Sequence, residues 1–153
     1  LWELAIAGKG PVSDLGKQGA DEIEDDLKKM GCRMLPYHKR KGVLRIGHLK
    51  VLHGFSCGVF AARQTALIYG SCLFGHVHDI TEHGIPGLER RVARCMGCLC
   101  DLDMDYAART PNTLRQANGW AYGVINDKTG DYFVWQAERI GSTFMIPSDI
   151  VEL

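Results

Sequence analysis

Leu49-Lys50-Val51-Leu52-His53-Gly54 and, farther along, Ser71-Cys72-Leu73-Phe74-Gly75-His76-Val77-His78 are the stretches whose reading decides the fold. Each is a short apolar run that reads as a buried strand and closes on a glycine–histidine motif. Between them, Phe60 to Tyr69 carries Ala61, Ala62, Ala66 and Leu67 and reads as a helix ending at Gly70. Cys72 to Phe74 is wholly apolar, as a strand buried on both faces should be. Strand, helix and strand in that order predict an α/β unit. The carboxyl ends of such strands open into the crevice where these folds gather their chemistry. That makes His53, His76 and His78 the candidate site residues.

Upstream, Val43 to Ile46 and Leu49 to Leu52 flank Gly47-His48, and glycine first in a two-residue connection favours a type II′ hairpin. Ala20, Ile23, Leu27 and Met30 form one stripe at helical spacing, with Gly31 placed to cap the end and Lys28-Lys29 suited to the negative end of the dipole. Leu1 to Gly19, with four glycines and Pro11, reads as a loop-rich opening, and Cys32 to Pro36 as a short strand. Downstream, Val92 to Leu102, Trp120 to Ile125 and Tyr132 to Ala137 read as strands, the last two joined by the turn-rich run from Asn126 to Asp131. Tyr106 to Asn118 reads as a polar loop. The sum is an α/β sandwich with a mixed sheet in one domain, residues 1–153.

Composition is that of a globular protein, 46% apolar and 24% charged with zero formal net charge. No global electrostatic footprint for nucleic acid or anionic membrane follows. The acidic run Asp21 to Asp26 and the basic runs His38 to Lys41 and Arg90, Arg91 and Arg94 read as solvated faces. No apolar run approaches the ~18 residues that span a bilayer, and no signal pattern opens the chain. The six cysteines lie within apolar segments instead of framing loops, which fits reduced thiols and a cytoplasmic location. The first residue is Leu1, not methionine, the start expected of a processed product or a piece of something longer.

Neutral imidazole donates to Zn, Mn or Fe without adding charge. An H-x-H pair on extended backbone projects both rings to one side, able to serve one metal or two adjacent ones. The glycines beside His53 and His76 permit close backbone approach. Residues 49–78, with their H-G, helix and G-H-x-H, resemble the calcineurin-like metallophosphoesterases, closest to small bacterial and phage-type members. The resemblance extends from about Ile23 to the C-terminal hairpin. It implies part of a four-layer αββα sandwich with mixed β-sheets. It also implies two divalent metal ions (Mn, Fe or Zn) about 3.5–4 Å apart, and a phosphomonoester or phosphodiester substrate, a nucleotide or nucleic acid among the candidates. His53 and His76 would ligate one metal and His78 the other. A hydroxide bridging the metals would attack phosphorus.

The sequence also departs from that family. It contains no D-x-H and no G-N-H, and its one Gly-Asp, Gly130-Asp131, lacks the downstream Asp of G-D-x-x-D. The bridging carboxylate, the asparagine ligand and the catalytic acid histidine therefore have no counterpart, and no catalytic residue is assigned. The expectation is the C-terminal half of such an enzyme with its N-terminal ligand strands missing, leaving an open sheet edge and unburied apolar surface. The alternative is a catalytically incomplete metal-binding or protein-interaction module. Three neutral histidines offset none of the charge of two cations, so a second metal would be strongly repelled.

Among the other candidates, Cys95-Met96-Gly97-Cys98-Leu99-Cys100 has C-x-x-C spacing and a third thiol. On a strand Cys98 and Cys100 would face one side and Cys95 the other, which hinders convergence on one metal, so these read as buried strand cysteines rather than zinc ligands. His83 reads as a loop histidine, and His38 as part of the basic run. Trp120, Tyr122, Phe133 and Trp135 alternate as packing residues do. Arg109, Arg115 and Asn118 lie in a polar segment with room to overhang a site, and nothing assigns them to phosphate.

Overall fold

The computed structural model describes residues 11–105 and 109–146. The chain forms two compact units, Leu1–Pro36 and Tyr37–Leu153.

The first unit carries helix α1 (Pro11–Lys29). It begins well before the expected Ala20, at a proline whose missing N–H costs nothing in a first turn. Gly16 and Gly19 lie inside it, each costing about 1 kcal/mol relative to alanine. Ion pairs from Lys28 to Glu24 and Asp25, and from Lys29 to Asp26, line the outer turns. Exposed pairs of this kind add little to stability. Gly31 ends the helix at φ +76°, its N–H donating to Lys28 C=O while Cys32 N–H donates to Leu27 C=O. That is the Schellman arrangement expected of a C-terminal glycine. Ile23 and Met30 are 61% and 73% exposed, so the apolar stripe remains open to solvent. Cys32 to Pro36 is irregular rather than a strand. The part of the expected opening loop before Pro11 lies outside the described residues.

The second unit is α/β. Strands β1 (Val43–Ile46) and β2 (Leu49–Leu52) form the expected antiparallel hairpin, Ile46 facing Leu49. Gly47 takes φ +58° and His48 does not have positive φ, the signature of a type II′ turn. Helix α2 (Ala61–Tyr69) leads to β3 (Cys72–Phe74), parallel to β2 with Leu52 beside Phe74. β4 (Ile80–Ile85) and β5 (Arg91–Met96) form a hairpin, and β5 runs parallel to β3. The mixed sheet has the order β1-β2-β3-β5-β4. Its core joins Leu52, Cys72, Phe74, Ala93 and Cys95 to Ala61, Ala62 and Ala66 of α2. Small side chains on that helix face let its backbone approach the sheet closely, while Leu67, an expected helix residue, points outward at 53% exposure.

A 3₁₀ turn at Pro111–Arg115 precedes an antiparallel sheet of β6 (Gly119–Ile125), β7 (Tyr132–Ile140) and β8 (Thr143–Met145). Tyr122 and Trp135 face each other across the strands and stack at 5.5 Å, whereas Phe133 is 57% exposed. Hydrogen bonds between the two sheets' segments include His48 N–H to Gly130 C=O at 2.9 Å and Gln136 Nε2 to Cys95 C=O at 2.7 Å. Three sequence expectations change here. His83 is a strand residue of β4 opposite Ala93, not a loop residue. β5 stops at Met96, well short of Leu102, because Gly97 turns the chain at φ +75°. β8 had no strand-like pattern to announce it.

Candidate metal centre

β2 and β3 deliver their histidines side by side. Gly75 N–H donates to His53 C=O at 2.9 Å, extending the parallel pairing one step past Leu52 and Phe74. Gly54 takes φ +100°, and a Cβ there would lie 3.0 Å from the Phe74 ring and 3.2 Å from His76 Cβ. Only glycine fits both that backbone and that gap. His53 Nε2 consequently sits 3.1 Å from His76 Nδ1. The other His76 nitrogen, Nε2, lies 3.2 Å from Cys57 Sγ. Tyr37 packs edge-on against the His53 ring at 5.0 Å and donates its hydroxyl to Gly54 C=O at 3.4 Å.

The H-x-H segment is not extended, contrary to the sequence expectation. His76 and His78 have φ of +69° and +56° and are the only non-glycine residues with positive φ among those described. Val77 N–H donates to Gly75 C=O at 2.9 Å, closing a tight γ-turn around His76. Val77 is buried between the two histidines, anchoring the turn to the core. The rings therefore diverge. His76 joins His53, and His78 joins Cys98 and Cys100, the ligand atoms of these three lying within 4.8 Å of one another. Histidine electrostatics still link the two groups. Partial burial, then the charge of His76 and then that of His78 hold the His53 imidazole below its ordinary pKa.

Cys98 and Cys100 were expected on one face of a continuing strand; instead Gly97 ends β5, and the two thiols lie 3.2 Å apart in the turn beyond it. Cys95, by contrast, stays in the core and donates to Gly75 C=O. Asn118, read from the sequence only as lying in a polar segment with room to overhang a site, holds this loop. Its amide donates to Cys100 C=O at 2.7 Å and to Cys98 C=O at 3.4 Å, pinning the loop that carries both thiols. The remaining histidines and arginines do other work. His38 Nδ1 accepts from the N–H groups of Arg40 and Lys41, and Arg94 pairs with Glu82. Arg109 and Arg115 do not join either histidine group.

His53 and His76 bring two ring nitrogens to hydrogen-bonding distance, 3.1 Å; among the described residues, three ligand-type side chains converge only at His78, Cys98 and Cys100. A ligating histidine normally fixes its second nitrogen with a hydrogen bond, and Cys57 stands where that bond would form. Comparison of the chain with family models, curated proteins and solved structures found no match.

Proposed function

We propose that this chain is the metal-holding, C-terminal half of a calcineurin-like phosphoesterase, acting on phosphomonoesters or phosphodiesters. The observation that carries the reading is the pair His53 Nε2 and His76 Nδ1, 3.1 Å apart at the ends of parallel neighbours β2 and β3. His53 and His76 would hold one metal, while the His78 ring faces Cys98 and Cys100 and not that pair. A divalent metal bound at the pair would supply an activated water and neutralise charge developing on the phosphoryl oxygens. The chain's own part is to hold the ring nitrogens in place. The γ-turn at His76 and the contact of Gly54 with Phe74 do so through the backbone, and Tyr37 limits rotation of His53.

Helix α2, the mixed sheet and the second sheet support that reading in part, since an αββα sandwich also needs a second helical layer. Edge strand β1 leaves Leu44 and Ile46 at 38% and 44% exposure, a surface that further strands would cover. The carboxylate joining two metals in such sites has no counterpart in this sequence, so the complete centre draws it from polypeptide beyond these residues.

The test is Mn²⁺-dependent hydrolysis of p-nitrophenyl phosphate and its bis ester, with His76→Ala as control. The 153-residue chain alone is expected to be inactive, and activity lost in His76→Ala is expected when D-x-H and G-D-x-x-D segments are supplied. Continued inactivity of a folded, metal-loaded protein with those segments would favour the alternative, a metal-binding module without hydrolysis.

A further inference from the structure

We infer that His78, Cys98 and Cys100 form a thiolate metal site for a zinc-class ion, chemically distinct from the histidine pair at His53 and His76. Three segments distant in sequence converge on it. His78 comes from the turn after β3, the cysteines from the turn after β5, and Ala117 to Gly119 from the approach to β6. Backbone bonds lace these together. Gly97 N–H donates to Asp79 C=O at 3.0 Å, Ala117 N–H to His78 C=O at 2.9 Å, Cys98 N–H to Ala117 C=O at 3.1 Å and Gly119 N–H to Cys98 C=O at 2.9 Å. The frame thus fixes both the histidine and the first cysteine through their own main chains.

The donors suit zinc. Ligands about 2.0–2.3 Å from a tetrahedral zinc stand about 3.4–3.8 Å from one another. The ligand atoms here lie within 4.8 Å of one another, with the sulfurs at 3.2 Å, so binding requires shifts of an ångström or less. Two thiolates cancel the charge of Zn²⁺, which three neutral histidines cannot do. The soft sulfurs favour Zn²⁺ over Mn²⁺ or Mg²⁺. Loading would release protons from the pair.

The outer partners are also present. Asn118 fixes the cysteine loop through two carbonyls, and its Oδ1 accepts from Arg139 at 3.4 Å. Three protein ligands leave a fourth position for water or another donor, as in open zinc sites. Cys100 borders a recess of about 520 Å³ shared with Asp101, Asp103, Asn118 and Arg139. The inference stands whether or not the phosphoesterase reading holds, because it concerns thiolate ligation and not turnover.

Its test is Co²⁺ titration of the reduced full chain, followed by absorption. One equivalent should bring sulfur-to-cobalt charge transfer in the near ultraviolet and strong visible bands of a tetrahedral site, both abolished by added Zn²⁺. Cys98→Ser and Cys100→Ser should each lose the charge-transfer band, while His53→Ala and Cys57→Ser keep it. A second measurement needs no variant: Zn²⁺ should protect Cys98 and Cys100 from alkylation, read by peptide mass, while exposed Cys32 and Cys57 still react. Absence of the charge-transfer band, its persistence in both serine variants, or equal alkylation with and without zinc would overturn the inference.

Discussion

His76 and His78 each hold a left-handed backbone that costs a non-glycine residue about 1–3 kcal/mol. The surrounding structure must over-determine such a conformation, and here it does so with a γ-turn hydrogen bond and the buried Val77 between them. The H-x-H pattern did not reveal the divergence of its two rings, because alternation along a strand was the geometry assumed. Only the three-dimensional turn separates a ring that meets His53 from one that meets two thiols. The cysteines divide as sharply. Burial pushes the Cys72 thiol up to about 11, only partly opposed by the nearby Lys50 ammonium, and burial likewise raises Cys95. The folded state withholds the Cys72 proton that the unfolded chain releases near its ordinary value, so this thiol's contribution to stability is complete below about pH 9 and is lost as pH rises toward about 11. Native labelling with a thiol-alkylating reagent near pH 8 should therefore modify Cys32 and Cys57 rapidly and leave Cys72 and Cys95 unmodified until denaturant is added. Fast labelling of Cys72 in the native protein would contradict the packing described.

At the scale of elements, apolar runs and turn chemistry were sufficient where they acted locally. The β1–β2 hairpin, its Gly47 turn, α2 and the buried β3 follow from residues adjacent in sequence. β4 was hidden because His83 and Gly84 break its apolar pattern, and its strand state comes from pairing with β5. α1 began early because helix geometry tolerated glycines that read as loop. The most consequential error was at Gly97, where a single left-handed residue ends β5 and turns Cys98 and Cys100 toward His78. A Cβ at that position would meet Ala117 O at 2.7 Å and Gly119 N at 3.0 Å. Gly97→Ala should therefore cost about 1–3 kcal/mol, from the positive φ with the clash in addition, and weaken the cysteine–histidine cluster. Urea unfolding measures the first and Co²⁺ absorption the second. A variant as stable as the parent with undiminished cobalt bands would mean that the turn does not position the thiols.

Across the whole molecule, α/β organisation was legible because it depends on the order of strands and helices. The partition into Leu1–Pro36 and Tyr37–Leu153 was not, since no composition break marks Pro36. No helix among the described residues is long and apolar enough to cross a membrane. Leu44 and Ile46 of β1 and, in the other unit, Ile23 and Met30 of α1 are exposed apolar side chains. Under the proposed phosphoesterase reading, the chain's own part in the centre would be the histidine pair His53 and His76. Mn²⁺ uptake, followed by loss of the electron paramagnetic resonance signal of the free aqueous ion, tests that claim most directly. The account expects the folded chain to take up Mn²⁺, His53→Ala and His76→Ala each to lose that uptake, and Cys98→Ser to retain it. Equal uptake by the parent and both histidine variants, or none by the folded parent, would contradict a metal site built at the ends of β2 and β3.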